Sequence, residues 1–211
     1  MKPLLGLLLV MGMVGCGDPV AELRSFGAKV TKDEQGKVIK VSLYGTQVTD
    51  ADIVHVKDMT KLQTLDVGQT PITDAGLVYL KGLTNLYSLN LRYTQVTDAG
   101  LVHLKGLAKL KSLGLTATGI TDEGLAHLKG MANLTALSLA STPITDTGLV
   151  HLKDVTSLQT LILRDTQVTD AGLVHLKGLH LRSLKLGSTQ ITDAGIAELR
   201  QALGPFCRII K

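Results

Sequence analysis

A chain of 211 residues that is 45% hydrophobic can bury a substantial core, but aromatics make up only 3% and tryptophan is absent, so other side chains must fill it. The 22 Lys and Arg against 18 Asp and Glu, formally +4, are too evenly balanced and too interspersed for a nucleic-acid surface. Two cysteines, Cys16 and Cys207, stand near opposite ends, which excludes a disulfide framework and any CxxC zinc or redox pair.

Residues 1–15 read as a signal peptide: Lys2, an apolar run from Leu4 to Val14, then the small Gly15 before Cys16. The run is about half the ~20 apolar residues that a membrane-spanning helix needs. Val14-Gly15-Cys16 resembles the lipobox of bacterial lipoproteins, with Met13 where leucine is usual. That resemblance implies cleavage before Cys16 and a lipid on Cys16, hence an extracytoplasmic protein held to a membrane by its acyl chains at ~0.8 kcal/mol per buried methylene. Ordinary secretion is the other reading.

Residues 16–37 are expected to form the lipid-attachment tether and an N-terminal cap. Val20 to Gly27 can make a short amphipathic helix, and Lys29 to Asp33 with Lys37 to Leu43 suit a hairpin turning at Glu34-Gln35-Gly36. Residues 38–204 then repeat. Thr46, Thr70, Thr94, Thr118, Thr142 and Thr166 recur every 24 residues, and Thr189 follows 23 later, the shortened unit losing a residue near Leu179-His180-Leu181.

Seven units follow from that register. In the second, Leu65 and Val67 alternate with Thr64, Asp66 and Gly68, the period of a short strand with one buried face. The hydroxyl of Thr70 can satisfy turn backbone groups of its own and neighbouring coils. Ile72 points inward, Thr73-Asp74 caps a helix, Leu77, Leu80 and Leu83 supply one buried stripe, and Gly82 helps to end it. The aspartate column from Asp50 to Asp193 is read as helix capping rather than as paired catalytic carboxylates. Residues 205–211 suit a truncated final strand that caps the far end, with Cys207 as a small buried apolar residue.

The pattern LxxLxLxxT followed by xITDAGLxxLxxL resembles the leucine-rich-repeat family, in its ribonuclease-inhibitor-like branch and the bacterial proteins that share the ITDAGL signature. The resemblance spans about four-fifths of the chain. It implies an α/β solenoid with parallel strands on the concave face, short helices on the convex face and a cap at each end. It also implies a non-catalytic interaction module that binds a protein or polymer on the concave strand face and carries no cofactor.

Two outward columns invite other chemistry. His55, His103, His127, His151 and His175, interrupted by Tyr79, are read as convex-face residues beside buried leucines, against a metal or pH-sensing role. The lysine column from Lys57 to Lys177 is read as a solvated face, against contact with an anionic membrane or polymer. No GxSxG elbow, P-loop or GxGxxG occurs, so no catalytic residue, metal ligand or nucleic-acid partner is assigned.

On the concave face most residues are small, and the large or charged exceptions become the candidate partner-binding residues: Tyr44, Asp66, Asn90, Arg92 and Tyr93, then Arg164 and Asp165. A self-associating architectural envelope protein is the alternative function. Family analogy also offers a ubiquitin-ligase substrate adaptor, but residues 17–37 are too few for the roughly 40-residue helical F-box such adaptors carry.

Overall fold

A computed structural model describes residues 17–211; the signal segment and Cys16 lie outside the described residues. Nine strands form one sheet in chain order: β1 Lys29–Lys32, β2 Val38–Ser42, β3 Thr64–Asp66, β4 Ser88–Asn90, β5 Ser112–Gly114, β6 Ala136–Ser138, β7 Thr160–Ile162, β8 Ser183–Lys185 and β9 Arg208–Ile210. β1 and β2 pair antiparallel, forming the hairpin expected from the sequence, and every later pair is parallel. Equivalent residues lie opposite one another, Leu65 beside Leu89 and Leu89 beside Leu113. Parallel strands in unbroken chain order mean that each coil returns the chain beside the strand it has just left, which is a solenoid.

The first helix, α1 Pro19–Ser25, starts at Asp18, whose carboxylate accepts the Val20 N–H at 3.0 Å, and it packs Leu23 onto the first coil. Opposite the strands each coil carries a short helical piece. These are a 3₁₀ turn at Asp52–Val56, α2 Asp74–Leu77, α3 Asp98–Leu101, α4 Asp122–Leu125, α5 Asp146–Leu152, a 3₁₀ segment at Asp170–Leu176 and α6 Asp193–Leu203. α2, α3 and α4 each continue into a 3₁₀ turn. The sequence explains the tight winding. Leucines three apart drift round an α-helix but eclipse at 3.0 residues per turn, so Leu77 and Leu80 both stay inward. Leu62, Leu65, Val67, Ile72, Leu77, Leu80 and Leu83 are each no more than 1% exposed, and their counterparts stack beside them. Branched aliphatics thus supply the core that the scarce aromatics could not, at about 1.5–3 kcal/mol for each buried side chain.

The aspartate column does something other than cap its own helix. Thr73 is the N-cap, with extended backbone, and its hydroxyl accepts the Ala75 N–H at 3.2 Å. Asp74 is the first helical residue, and its carboxylate reaches the next coil, accepting the Thr97 N–H at 2.7 Å and the Thr97 hydroxyl at 2.6 Å. The same two bonds join Asp50 to Thr73, Asp98 to Thr121, Asp122 to Thr145, Asp146 to Thr169 and Asp170 to Thr192. Each carboxylate therefore lies at the helix start of the following coil, where an anion is favoured. The Thr192 hydroxyl and amide hold the Asp170 carboxyl below the usual aspartate range.

That bridge dictates the glycine three residues after the bridged threonine. A Cβ at Gly76, Gly100, Gly124, Gly148, Gly172 or Gly195 would fall under 3.0 Å from an Oδ1 of the preceding coil's aspartate. The first coil confirms the rule by exception. With no bridging aspartate before it, Asp52 stands in the glycine column, and one of its own carboxylate oxygens accepts both the N–H and the hydroxyl of Thr49 at 2.8 Å. At the far end Asp193 pairs with Lys211 at 2.7 Å, and that hydrogen bond and charge hold its carboxyl down.

Two further expectations are corrected. The Thr70 hydroxyl donates to the Val67 carbonyl of its own coil at 2.6 Å, and its equivalents do likewise, so this column closes turns and does not link coils. The glycines after the convex helices do not share one role: Gly130 has a positive φ of 85°, whereas Gly82, Gly106 and Gly178 do not enter the left-handed region. The helix stops at these coils because the chain must turn back toward the sheet, as in the Leu83 N–H bond to the Leu80 carbonyl at 3.0 Å.

A double-mutant cycle checks the pairing of aspartate with glycine. Gly124→Ala alone should destabilise by about 1–3 kcal/mol through overpacking. In the Asp98→Ala background it should cost less than half as much, an interaction of roughly 1 kcal/mol or more in urea unfolding.

Strand face as candidate functional site

The candidate residues sit where the strands end. Asp66 and Asn90 close β3 and β4; Tyr44, Arg92 and Arg164 lie just beyond β2, β4 and β7; Tyr93 and Asp165 follow in a turn. That turn is left-handed in every coil. Gly45 has φ 70°, and Gln69, Tyr93, Ala117, Ser141, Asp165 and Ser188 have φ between 52° and 58°. Up to Asp165 the conformation aims the N–H at the next coil: Tyr93 donates to the Thr116 carbonyl at 2.8 Å and Asp165 to the Gly187 carbonyl at 3.0 Å. A non-glycine residue pays roughly 1–2 kcal/mol for it. Sequence reasoning missed this column because only its first member, Gly45, carries the residue type that signals a positive φ.

Five of the candidates converge. The Asp66 carboxylate accepts the Gly68 N–H at 3.0 Å and the Asn90 Nδ2 at 2.8 Å, and Asn90 Oδ1 accepts the Arg92 N–H at 3.2 Å. Gly68 permits the convergence, since a Cβ there would lie 3.0 Å from Asn90 Nδ2, 3.1 Å from the Tyr44 ring and 3.2 Å from Asp66 Oδ1. The Arg92 guanidinium lies 5.8 Å from the centroid of the Tyr93 ring, within cation–π range. Tyr44 and Tyr93 are each 52% exposed.

Arg164 and Asp165 form a separate patch. Arg164 lies across Gly187, and Asp165 accepts a long hydrogen bond from the Ser141 hydroxyl at 3.4 Å. Three strand spacings separate β4 from β7, about 14 Å. Between the two patches, Ser112, Gly114, Ala136 and Ser138 floor a shallow depression of about 250 Å³. The ion pairs among the described residues, Lys129–Asp154, Lys177–Glu198 and Lys211–Asp193, all lie elsewhere, leaving both arginine side chains without an acidic partner.

The outward columns carry less. The five histidines of the column are half-buried, and among the described residues no group of three or more His, Cys, Asp or Glu is placed to hold a metal. His103 Nδ1 is buried without a hydrogen-bond partner, and burial together with Lys81 lowers its pKa against a small opposing effect of Asp74. Cys207 is buried beside β9, and burial pushes its thiol pKa up, so it is no reactive nucleophile. Among the described residues no helix is long and apolar enough to cross a membrane.

Comparison with known proteins places this architecture. Among solved structures the chain is similar to an internalin C2 of Listeria monocytogenes, with 24% identity, 91% of each chain covered and a TM-score of 0.59. It is also similar to an internalin (inlF) of the same organism, with 23% identity over 92% of this chain and 62% of that one and a TM-score of 0.60. A leucine-rich-repeat protein of Leptospira interrogans shares 25% identity over 75% of this chain and 39% of its own, with a TM-score of 0.55. No curated protein sequence matches. The family model described as Leucine Rich repeat matches residues 58–81, 82–104, 130–152, 156–176 and 179–199. These segments cover more than half of the chain, which belongs to the leucine-rich-repeat family, whose members commonly act as protein-interaction scaffolds.

Proposed function

We propose that this protein is a non-catalytic binding module that engages a protein partner through the N-terminal half of its strand face. The observation that carries the reading is the hydrogen-bonded chain from Asp66 through Asn90 to Arg92, which fixes polar groups between two half-exposed tyrosines. Tyrosine and arginine dominate interface energetics, and here the Asp66–Asn90 pair fixes the main chain that carries Arg92, which lowers the ordering cost of binding. Arg164 and Asp165 supply a second contact about 14 Å away, and the small residues between let a convex partner approach. The fold implies no function by itself, so the reading rests on these side chains.

The module is tethered outside the cytoplasm by a lipid on Cys16. The apolar run, Gly15 and Cys16 support that reading, and the nearby start of α1 at Pro19 would put the solenoid close to the membrane.

Photo-crosslinkers at positions 44 and 93 should each give an adduct with one partner protein, lost on Arg92→Ala, while a crosslinker at the outward Val102 should give none. An adduct of twice the chain's own mass would instead favour self-association. Labelled palmitate should enter the chain and be lost with Cys16→Ala, which should also release the protein from membranes. Unchanged membrane fractionation of that variant would contradict the tether.

A further inference from the structure

The edge at which the chain enters the strands departs from the repeat in a way that neither the core nor the strand face explains. Gln63, Asn85, Tyr87, Lys109, Lys111 and Asn133 line an open cleft of about 480 Å³, larger than the depression on the strand face. Two cations and three amides line it and no carboxylate does. Lys61 and Arg182 occupy the same two columns of the repeat, outside the cleft on either side. Tyr87 is 43% exposed, presenting a ring to the opening.

The cleft is preorganised. Asn85 Nδ2 donates to the Thr60 carbonyl at 2.8 Å, and Asn133 Nδ2 to the Ala108 carbonyl at 2.8 Å. Lys109 Nζ donates to Asn85 Oδ1 at 2.7 Å, which fixes the ammonium against the cleft wall. Each amide and the ammonium keep further donor and acceptor capacity for a ligand. Main-chain groups are spent: the Tyr87 N–H bonds the Gln63 carbonyl at 2.9 Å, and the Lys111 N–H bonds the Tyr87 carbonyl at 2.8 Å. A peptide adding as a strand would find no free main-chain edge here.

We infer that this cleft binds a carboxylate-bearing oligosaccharide. A sugar ring presents a C–H face that suits an exposed tyrosine and hydroxyls that both donate and accept, as amides do. Its carboxylates pair with Lys109 and Lys111. Each exposed lysine pair is weak and salt-sensitive alone, so affinity depends on the ring platform and the paired cations acting together.

Calorimetric titration of the full chain with tetragalacturonate, maltotetraose and tetraglutamate tests this. Tetragalacturonate should bind, more weakly at high ionic strength, and on the order of tenfold more tightly than maltotetraose or tetraglutamate. Tyr87→Ala and Lys111→Gln should each weaken it on the order of fivefold or more, Tyr87→Phe should retain it and Arg92→Ala should leave it unchanged. All four substitutions are at exposed positions, and unchanged unfolding midpoints show that the fold survives them. No binding of tetragalacturonate, equal binding of the neutral sugar, tighter binding of the acidic peptide, or loss on Arg92→Ala would each overturn the proposal.

Discussion

Every coil after the first begins its convex turn with a threonine whose N–H and hydroxyl both take an acceptor from outside the coil. The preceding coil supplies it, through an aspartate whose two oxygens take one donor each. This contact runs along the stack at the start of the convex turns, so neighbouring coils are tied there as well as along the sheet ladder. Without it the strand ladder would still hold the register on one side, but the start of each convex turn would lose its charge-assisted tie, which leucine packing, being non-directional, does not replace. The bridge also sets sequence: the carboxylate occupies the space where a side chain would stand in the next coil, which leaves glycine. Threonine, aspartate and glycine are thus one device spread over two coils.

The ends show what happens when the device lacks a partner. Asp52 replaces glycine in the first coil and satisfies Thr49 internally, and Asp193 in the last coil turns to Lys211. A helix and hairpin close one apolar end, α6 and β9 the other. The cost of the regularity is chemical uniformity, since the aspartate, threonine and glycine of the bridge recur from coil to coil. Variation is left to the exposed columns on the strand face and on the edge where the chain enters it. There the repeat relaxes into Tyr44, Arg92 and Arg164 on one surface and Tyr87, Lys109 and Lys111 on the other.

Much of this was legible in the residues. Periodicity of the leucines and the threonine register gave strands, turns and coil length, because burial of aliphatic side chains fixes which positions face inward. The duties of polar columns were harder to read. Aspartate after threonine is a common capping pattern, and nothing local distinguishes a carboxylate that caps its own helix from one that reaches 23 residues onward; only its pairing with glycine in the following unit could have told. The left-handed turn was hidden for a similar reason, since inter-coil hydrogen bonds impose a positive φ on Tyr93 and Asp165 against their preference. The candidate partner residues were found as departures from smallness. That Asp66, Asn90 and Arg92 are linked, while Arg164 stands apart, depended on strand register, which composition does not carry.

Hydrogen exchange at single amides of the native protein tests the bridge most directly. With Asp98→Ala, exchange of the Thr121 N–H should accelerate about ten- to a hundredfold, the loss of a charge-assisted hydrogen bond of about 1.5–3 kcal/mol, while the Thr169 N–H, two coils further on, stays protected. Unchanged exchange at Thr121, or equal acceleration at both amides, would show that the aspartate does not hold the two coils together at this point.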